Sequence, residues 1–187
     1  MGKLIYSVAC TLDGYNTDPE GGFAWAYPDE PVIAALTADA ESVSTYLYGR
    51  RMYETMAIWE TDPAAADGSP ESAVFAQMWQ RAEKVVFSSS LDRVWTKRTR
   101  LEPAFTPEAF ARAKAGASGD LTVEGPTLAA TALRLGLVDV VELLLCPVLV
   151  GGGTRVFPAG LTAGFRLIRE RRFANGMVQV TYSADRP

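Results

Sequence analysis

Histidine is absent from all 187 residues. That removes Ser-His-Asp and Cys-His nucleophile systems and any histidine-ligated metal site. Acid–base chemistry falls instead to carboxylates, Tyr, Lys, Cys, water or a cofactor. Cysteine is scarce: Cys10 and Cys146 lie far apart and form no CxxC motif. Neither a disulfide framework nor a cysteine-rich zinc site is expected, and no metal site of any kind is assigned. Both cysteines sit in apolar runs, as buried and inert thiols do. No stretch approaches 18 uninterrupted apolar residues, and no basic segment followed by an apolar core and a small-residue cleavage site opens the chain. A cytoplasmic protein away from the membrane is expected. Excess positive charge is missing too: the formal net charge is −4, which argues against nucleic acid or an anionic membrane as a partner. There is no internal repeat, and neither a GxGxxG nor a GxxxxGK[ST] motif, so no Rossmann or P-loop site is indicated.

What is present is an ordinary globular balance, 48% hydrophobic and 21% charged, over a length that suits one domain spanning 1–187. An opening strand ends near Asp13-Gly14, a turn signal. A Gly-, Pro- and aromatic-rich loop follows from Tyr15 to Pro31. A helix is expected over Glu30 to Ala40, a strand over Ser44 to Tyr48, and a helix opening with Gly49-Arg50-Arg51-Met52-Tyr53-Glu54. Residues 61–70 read as a surface loop. Ser69-Pro70-Glu71 and Thr106-Pro107-Glu108 are helix starts, each with a hydroxyl cap, Pro at the first position and a carboxylate near the positive end of the dipole. After the first of these, Val74, Phe75, Met78, Trp79 and Ala82 form an apolar stripe at helical spacing. Lys84 to Ser88 and Leu121 to Val123 read as strands, and a helix from Pro126 ends at Gly136. Val138 to Val150 is long and apolar, as a strand covered on both faces is, with a bulge or break at Pro147. Strands near Phe165–Phe173 and Met177–Ser183 close an antiparallel hairpin around Asn175-Gly176. Strands alternating with helices give an α/β sheet with helices on both faces.

Ligands of open α/β sheets bind at the carboxyl ends of strands. Three strand-to-helix turns, 48–53, 88–91 and 123–128, should share that edge. Arg50 and Arg51 at one and Ser88, Ser89 and Ser90 at another suit a dianionic phosphate, or are simply a solvated pair and a plain loop. Gly151-Gly152-Gly153 is either a flexible turn or a place where backbone approaches a flat ligand. Phe23, Trp25 and Tyr27 either pack over the sheet edge or wall a pocket for a planar molecule. A carboxyl among Asp13, Asp29 and Glu30, if set against Trp25, would be desolvated and able to give up a proton near neutral pH. As turn or cap residues the same groups need no such role.

At these residues the sequence resembles the dihydrofolate reductase-like superfamily, and more closely the RibD C-terminal (riboflavin-pathway reductase) family. The resemblance is carried by Thr11-Leu12-Asp13-Gly14, Trp25-Ala26-Tyr27-Pro28-Asp29-Glu30, Tyr48-Gly49-Arg50-Arg51-Met52-Tyr53-Glu54, Val85-Val86-Phe87-Ser88-Ser89, Gly136-Leu137-Val138-Asp139 and Pro147 to Phe157, nearly the whole chain. It implies a three-layer αβα sandwich around a mixed, mostly parallel sheet of about eight strands with a C-terminal antiparallel hairpin. It also implies NADPH as cofactor and a homodimer formed through the C-terminal strands. By position, Gly49, Arg50, Arg51 and Met52 resemble the segment meeting the cofactor phosphates, and Ser88, Ser89 and Ser90 the one around the adenosine 2′-phosphate. Gly125, Pro126, Thr127 and Leu128 resemble the pyrophosphate turn, and Ala9 a main-chain contact to the nicotinamide. Glu30 resembles the pterin-pocket carboxylate, and Asp13 the Asp-Gly of the riboflavin-type branch; either would hold substrate or relay a proton. Trp25, Tyr27 and Tyr53 would shape the substrate pocket. Glu124-Gly125 stands where relatives have Gly-Gly, and Met52 where they commonly have a hydroxyl residue. The reading is an NADPH-dependent reductase of a small planar C=N or C=O substrate. The alternatives are a non-redox tailoring enzyme reusing the cleft and a non-catalytic NADPH-binding module.

Overall fold

Local chemistry starts the helices where the sequence places them. The computed structural model describes residues 2–185. Asp29 caps α1 (Glu30–Asp39), its carboxylate accepting from the Val32 N–H at 3.2 Å. Ser69 caps α5 (Pro70–Arg81) through the Ser72 N–H, and Thr106 caps α6 (Pro107–Gly116) through the Ala109 N–H. Each of these helices carries Pro within its first turn, where the missing N–H costs nothing. Between them, α2 (Arg50–Met56) runs through Ala57 into α3 (Ile58–Thr61), and α7 covers Pro126–Arg134. The stretch 61–70, expected to be a loop, contains a further single-turn helix, α4 (Pro63–Ala66), nucleated by the Asp62 cap and Pro63. Gly136 stands two residues past α7 at φ +66°, a left-handed position glycine takes without strain.

Among the described residues eight strands form one sheet: β1 (Leu4–Thr11), β2 (Val43–Gly49), β3 (Glu83–Phe87), β4 (Thr99–Glu102), β5 (Asp120–Glu124), β6 (Val140–Cys146), β7 (Phe165–Arg172) and β8 (Val178–Ala184). Their order is β4-β3-β2-β5-β1-β6-β8-β7. The first six are mutually parallel; β8 runs antiparallel to β6 and to β7. The C-terminal hairpin is therefore as expected, turning at Gly176 with φ +87°. The expected long strand 138–150 is shorter, Val140–Cys146, because pairing stops at Pro147, which has no N–H to give. β4 has no sequence signature: Thr-Arg-Leu-Glu has no apolar run to announce an edge strand.

The two faces are filled by side chains of alternate parity. Leu4, Tyr6, Val8 and Cys10 of β1 point at Phe110 and Ala113 of α6 and Ala129, Ala132 and Leu133 of α7. On the other face Tyr46, Tyr48 and Val86 meet Tyr53 of α2 and Trp79 of α5. Val32 of α1 covers Leu144 and Cys146 of β6. Fully burying one such side chain contributes about 1.5–3 kcal/mol. Val74 departs from the expected stripe: it is 56% exposed, while Ala76 takes an inward position on α5. Cys10 and Cys146 are buried free thiols, and burial pushes both up to about 11. Among the described residues no helix is long and apolar enough to cross a membrane.

Candidate functional site

β3, β2 and β5 are consecutive in the sheet and parallel, so the ends at Phe87, Gly49 and Glu124 open on one rim. The helices leaving two of those ends meet. A β-carbon built on Gly125 would lie 3.5 Å from that of Met52, and one on Gly49 would lie 4.0 Å from that of Leu128. Gly125 sits at φ +90°, so any other residue there would be strained. The capping pattern sets this rim apart. Helices α1, α4, α5 and α6 each have a side chain satisfying their first turn, whereas α2, after Gly49, and α7, after Gly125, have none; α3, also without one, continues directly from α2. The first-turn N–H groups of α7 thus remain for solvent or an anion.

The side chains around this cradle divide by what else they do. Arg50 is engaged with Glu54 at 3.8 Å, one turn along α2. Arg51 is exposed and makes no salt bridge among the described residues. The Ser88 hydroxyl is used inside its own turn, accepting from the N–H groups of Ser90 and Leu91. Ser89 and Ser90 are exposed. Thr127 is exposed in the first turn of α7, Pro126 is buried, and Met52 and Leu128 are half-buried beside it. Glu124 is in register with Tyr48 and half-buried, and burial pushes its carboxyl up to about 8.

The neighbouring end of β1 is tied into the loop that follows β6. Asp13 accepts from the Gly151 N–H at 2.8 Å and the Val150 N–H at 3.3 Å. The Thr11 hydroxyl, then these amides, hold its carboxyl below the ordinary carboxylate range. Asp13 is therefore an ionised clasp at neutral pH rather than a store of protons. Glu30 lies exposed in the first turn of α1. The carbonyl of Ala9 accepts a 3.1 Å hydrogen bond from Asn16 Nδ2, a contact that nothing in the sequence pattern signals. Gly153 fits tightly against the chain itself: a β-carbon there would collide with the carbonyl oxygens of Thr17 and Asp18. The close approach at this glycine run is thus to backbone of the same protein.

The aromatic loop does two jobs. Trp25 packs half-buried against the cluster of Val32, Leu144, Cys146 and Met177, and its buried Nε1 has no hydrogen-bond partner. Phe23 and Tyr27 form an edge-to-face pair at 5.8 Å, with Tyr27 68% exposed. Tyr53 does not line a cleft as expected. It is fully buried, its hydroxyl accepting from the N–H groups of Trp95 and Thr96 and bonding the Thr96 hydroxyl. It braces the loop between β3 and β4, because its place on α2 faces the sheet. Trp95, tilted against it with ring centroids 4.7 Å apart and 47% exposed, gives no sign of itself in the sequence, since an isolated Trp in a polar stretch carries no periodic signal. Among the described residues no group of acidic or cysteine side chains could hold a metal ion.

An eight-stranded, mostly parallel sheet with a C-terminal antiparallel pair defines the dihydrofolate reductase-like fold. It matches dihydrofolate reductase of Enterococcus faecalis, solved with NADP(H) and RAB-propyl, with a TM-score of 0.64 at 15% identity over 99% of this chain and 98% of that one. A Shewanella sp. PV-4 structure, provisionally named a riboflavin biosynthesis protein, superposes with a TM-score of 0.78 at 22% identity, covering 98% and 99% of the two chains. YyaP of Bacillus subtilis (strain 168), itself uncharacterized, is 25% identical over 182 residues, 96% of this chain and 94% of that protein. Residues 2–179 match the RibD C-terminal domain, and the chain belongs to that family, one of NADPH-dependent reductases.

Proposed function

We propose that this protein is an NADPH-dependent reductase that transfers a hydride to a small planar C=N or C=O substrate. The observation that carries the reading is that α2 and α7 both start without a side-chain cap and that their first turns meet at the rim of β2 and β5. A dinucleotide diphosphate is the kind of anion such an N-terminus accepts. Arg51, Ser89 and Ser90 would hold the 2′-phosphate, Arg51 being the arginine of its pair that is not engaged within α2. NADPH when bound supplies the hydride; the protein's own work is orientation and exclusion of water. Asp13 shapes the adjoining end of β1 by holding the loop at Gly151, and Trp25 and Tyr27 offer apolar walls. Glu30, at the start of α1, is placed to hold the substrate or pass a proton through water. The same reading takes the protein as a homodimer joined through its C-terminal strands, where edge strand β7 leaves Leu167 and Ile168 about half exposed.

The test is a fluorescence or calorimetric titration with NADPH and NADH. NADPH should bind at least tenfold more tightly, and Arg51→Ala should cost roughly 1.5–3 kcal/mol of NADPH affinity while leaving NADH unchanged. Equal affinities for the two dinucleotides would overturn the 2′-phosphate assignment. Failure to bind either would overturn the cofactor reading itself, in favour of a non-redox use of the cleft.

A further inference from the structure

The side chain least expected beside an anion is Glu124, the last residue of β5, immediately before the uncapped start of α7. It makes no hydrogen bond or salt bridge among the described residues. We propose that Glu124 is a proton-linked gate on the cradle: as a neutral acid it admits an anionic dinucleotide and donates a hydrogen bond to it, and as a carboxylate it repels it. This rests on the cofactor reading above and adds a control to the same site.

The surroundings on β2, α5, α2 and β1 favour the neutral form, and the group that favours the carboxylate is the open start of α7, which a bound anion would occupy. On β2, its register partner Tyr48 and the neighbouring Tyr46 stack at 5.6 Å and are buried phenols, raised by burial and by Glu124 itself. On α5, Trp79 Nε1 is committed to the Tyr48 hydroxyl, and Arg81 acts on Tyr46. On α2, Met52 is the contact with Gly125, Arg50 is held by Glu54, and Arg51 is exposed. On β1, pairing reaches Tyr6–Val123, and the next residue, Ser7, carries no charge. Among the described residues Glu124 therefore has no compensating cation, and desolvation is the cause that moves its titration to about 8. One pair deeper on the same face, the Thr122 and Tyr46 hydroxyls are buried without hydrogen-bond partners. The acid thus stands at the rim end of a polar strip whose inner members are closed into the core.

The experiment measures NADPH affinity of the full chain from pH 7 to 9.5, beside E124Q and, should that variant unfold, E124G. Thermal melts at each pH confirm folding. For the unaltered protein the dissociation constant should rise about thirtyfold across this range, the factor for one proton titrating near 8. E124Q should stay within about threefold. Calorimetry near pH 8 in two buffers of different ionisation enthalpy should show proton uptake on binding that E124Q lacks. Lys84 also titrates near 8 but is common to both proteins. The same pH profile in both, or no proton uptake, overturns the gate and leaves the cofactor reading standing. No binding to either protein at pH 7 overturns both.

Discussion

Trp79 Nε1 donates a 2.9 Å hydrogen bond to the hydroxyl of Tyr48, inside the core and 31 residues away in sequence. Helix α5 is thereby fastened to the strand whose end, Gly49, opens the cradle. Replacing Tyr48 with Phe leaves the indole N–H buried and unpaired, at a cost of about 1–3 kcal/mol. W79F should cost more, since a smaller ring also leaves a void. Urea melts of Y48F, W79F and the double variant should give a coupling energy of about 1 kcal/mol, and simple additivity would sink the claim.

Tyr53 is a brace rather than a pocket wall. Y53F removes the acceptor of the Trp95 and Thr96 N–H groups at 2.8 and 3.0 Å. Stability should fall by about 2 kcal/mol, and hydrogen exchange at these two amides should quicken ahead of the rest of the sheet. Unchanged protection at both amides would refute the role.

Glu124 makes folding depend on pH as well as binding. Its carboxyl is raised from an ordinary 4.5 to about 8 in the fold. Between those values the unfolded chain has lost the proton that the native state keeps. Stability therefore falls as pH rises through that window and levels off above it. The loss should reach about 2 kcal/mol, moderated by the residue's partial exposure, and E124Q should not show it. Denaturant melts at pH 5 and pH 8 measure the difference.

Lys84 gives the opposite slope in the next window. The residue is 1% exposed, and its ammonium lies 4.2 Å from the centre of the Trp79 ring and donates to the Trp79 and Gln80 carbonyls at the end of α5. Burial pulls it from 10.5 down to about 8. Between those values the unfolded chain holds the extra proton, so stability should rise with pH. K84M should abolish that rise while keeping most of the packing, and K84A should cost about 2 kcal/mol more than K84M by opening a cavity. A K84M protein with the same alkaline rise would show that another group titrates there.

The parts legible in the sequence were those governed by neighbouring residues. Ser69-Pro70 and Thr106-Pro107 started helices because a cap and a ring-locked φ act within one turn. Asn175-Gly176 turned the hairpin for the same reason. The common rim of the three turns followed from the parallel order of the strands, although the 88–91 turn, read as strand-to-helix, leads through a loop into β4 instead. What escaped depends on contacts distant in sequence. Tyr53 reads as a cleft aromatic until the 93–98 loop folds over it. Asp13 reads as a candidate acid until the amides of Val150 and Gly151 close around it. β4 has no pattern of its own, and exists because β3 offers it an edge.

Strand β8 sits between β6 and β7 although it follows both in the chain, and among the described residues β7 has no other neighbour in the sheet. During synthesis on the ribosome, β7 emerges before anything exists for it to pair with, and β6 keeps a bare flank until β8 slots in. The parallel portion bearing the cradle can assemble vectorially, but the sheet becomes whole only once β8 has emerged, so a nascent chain stalled before residue 178 would display an adhesive strand edge to its surroundings.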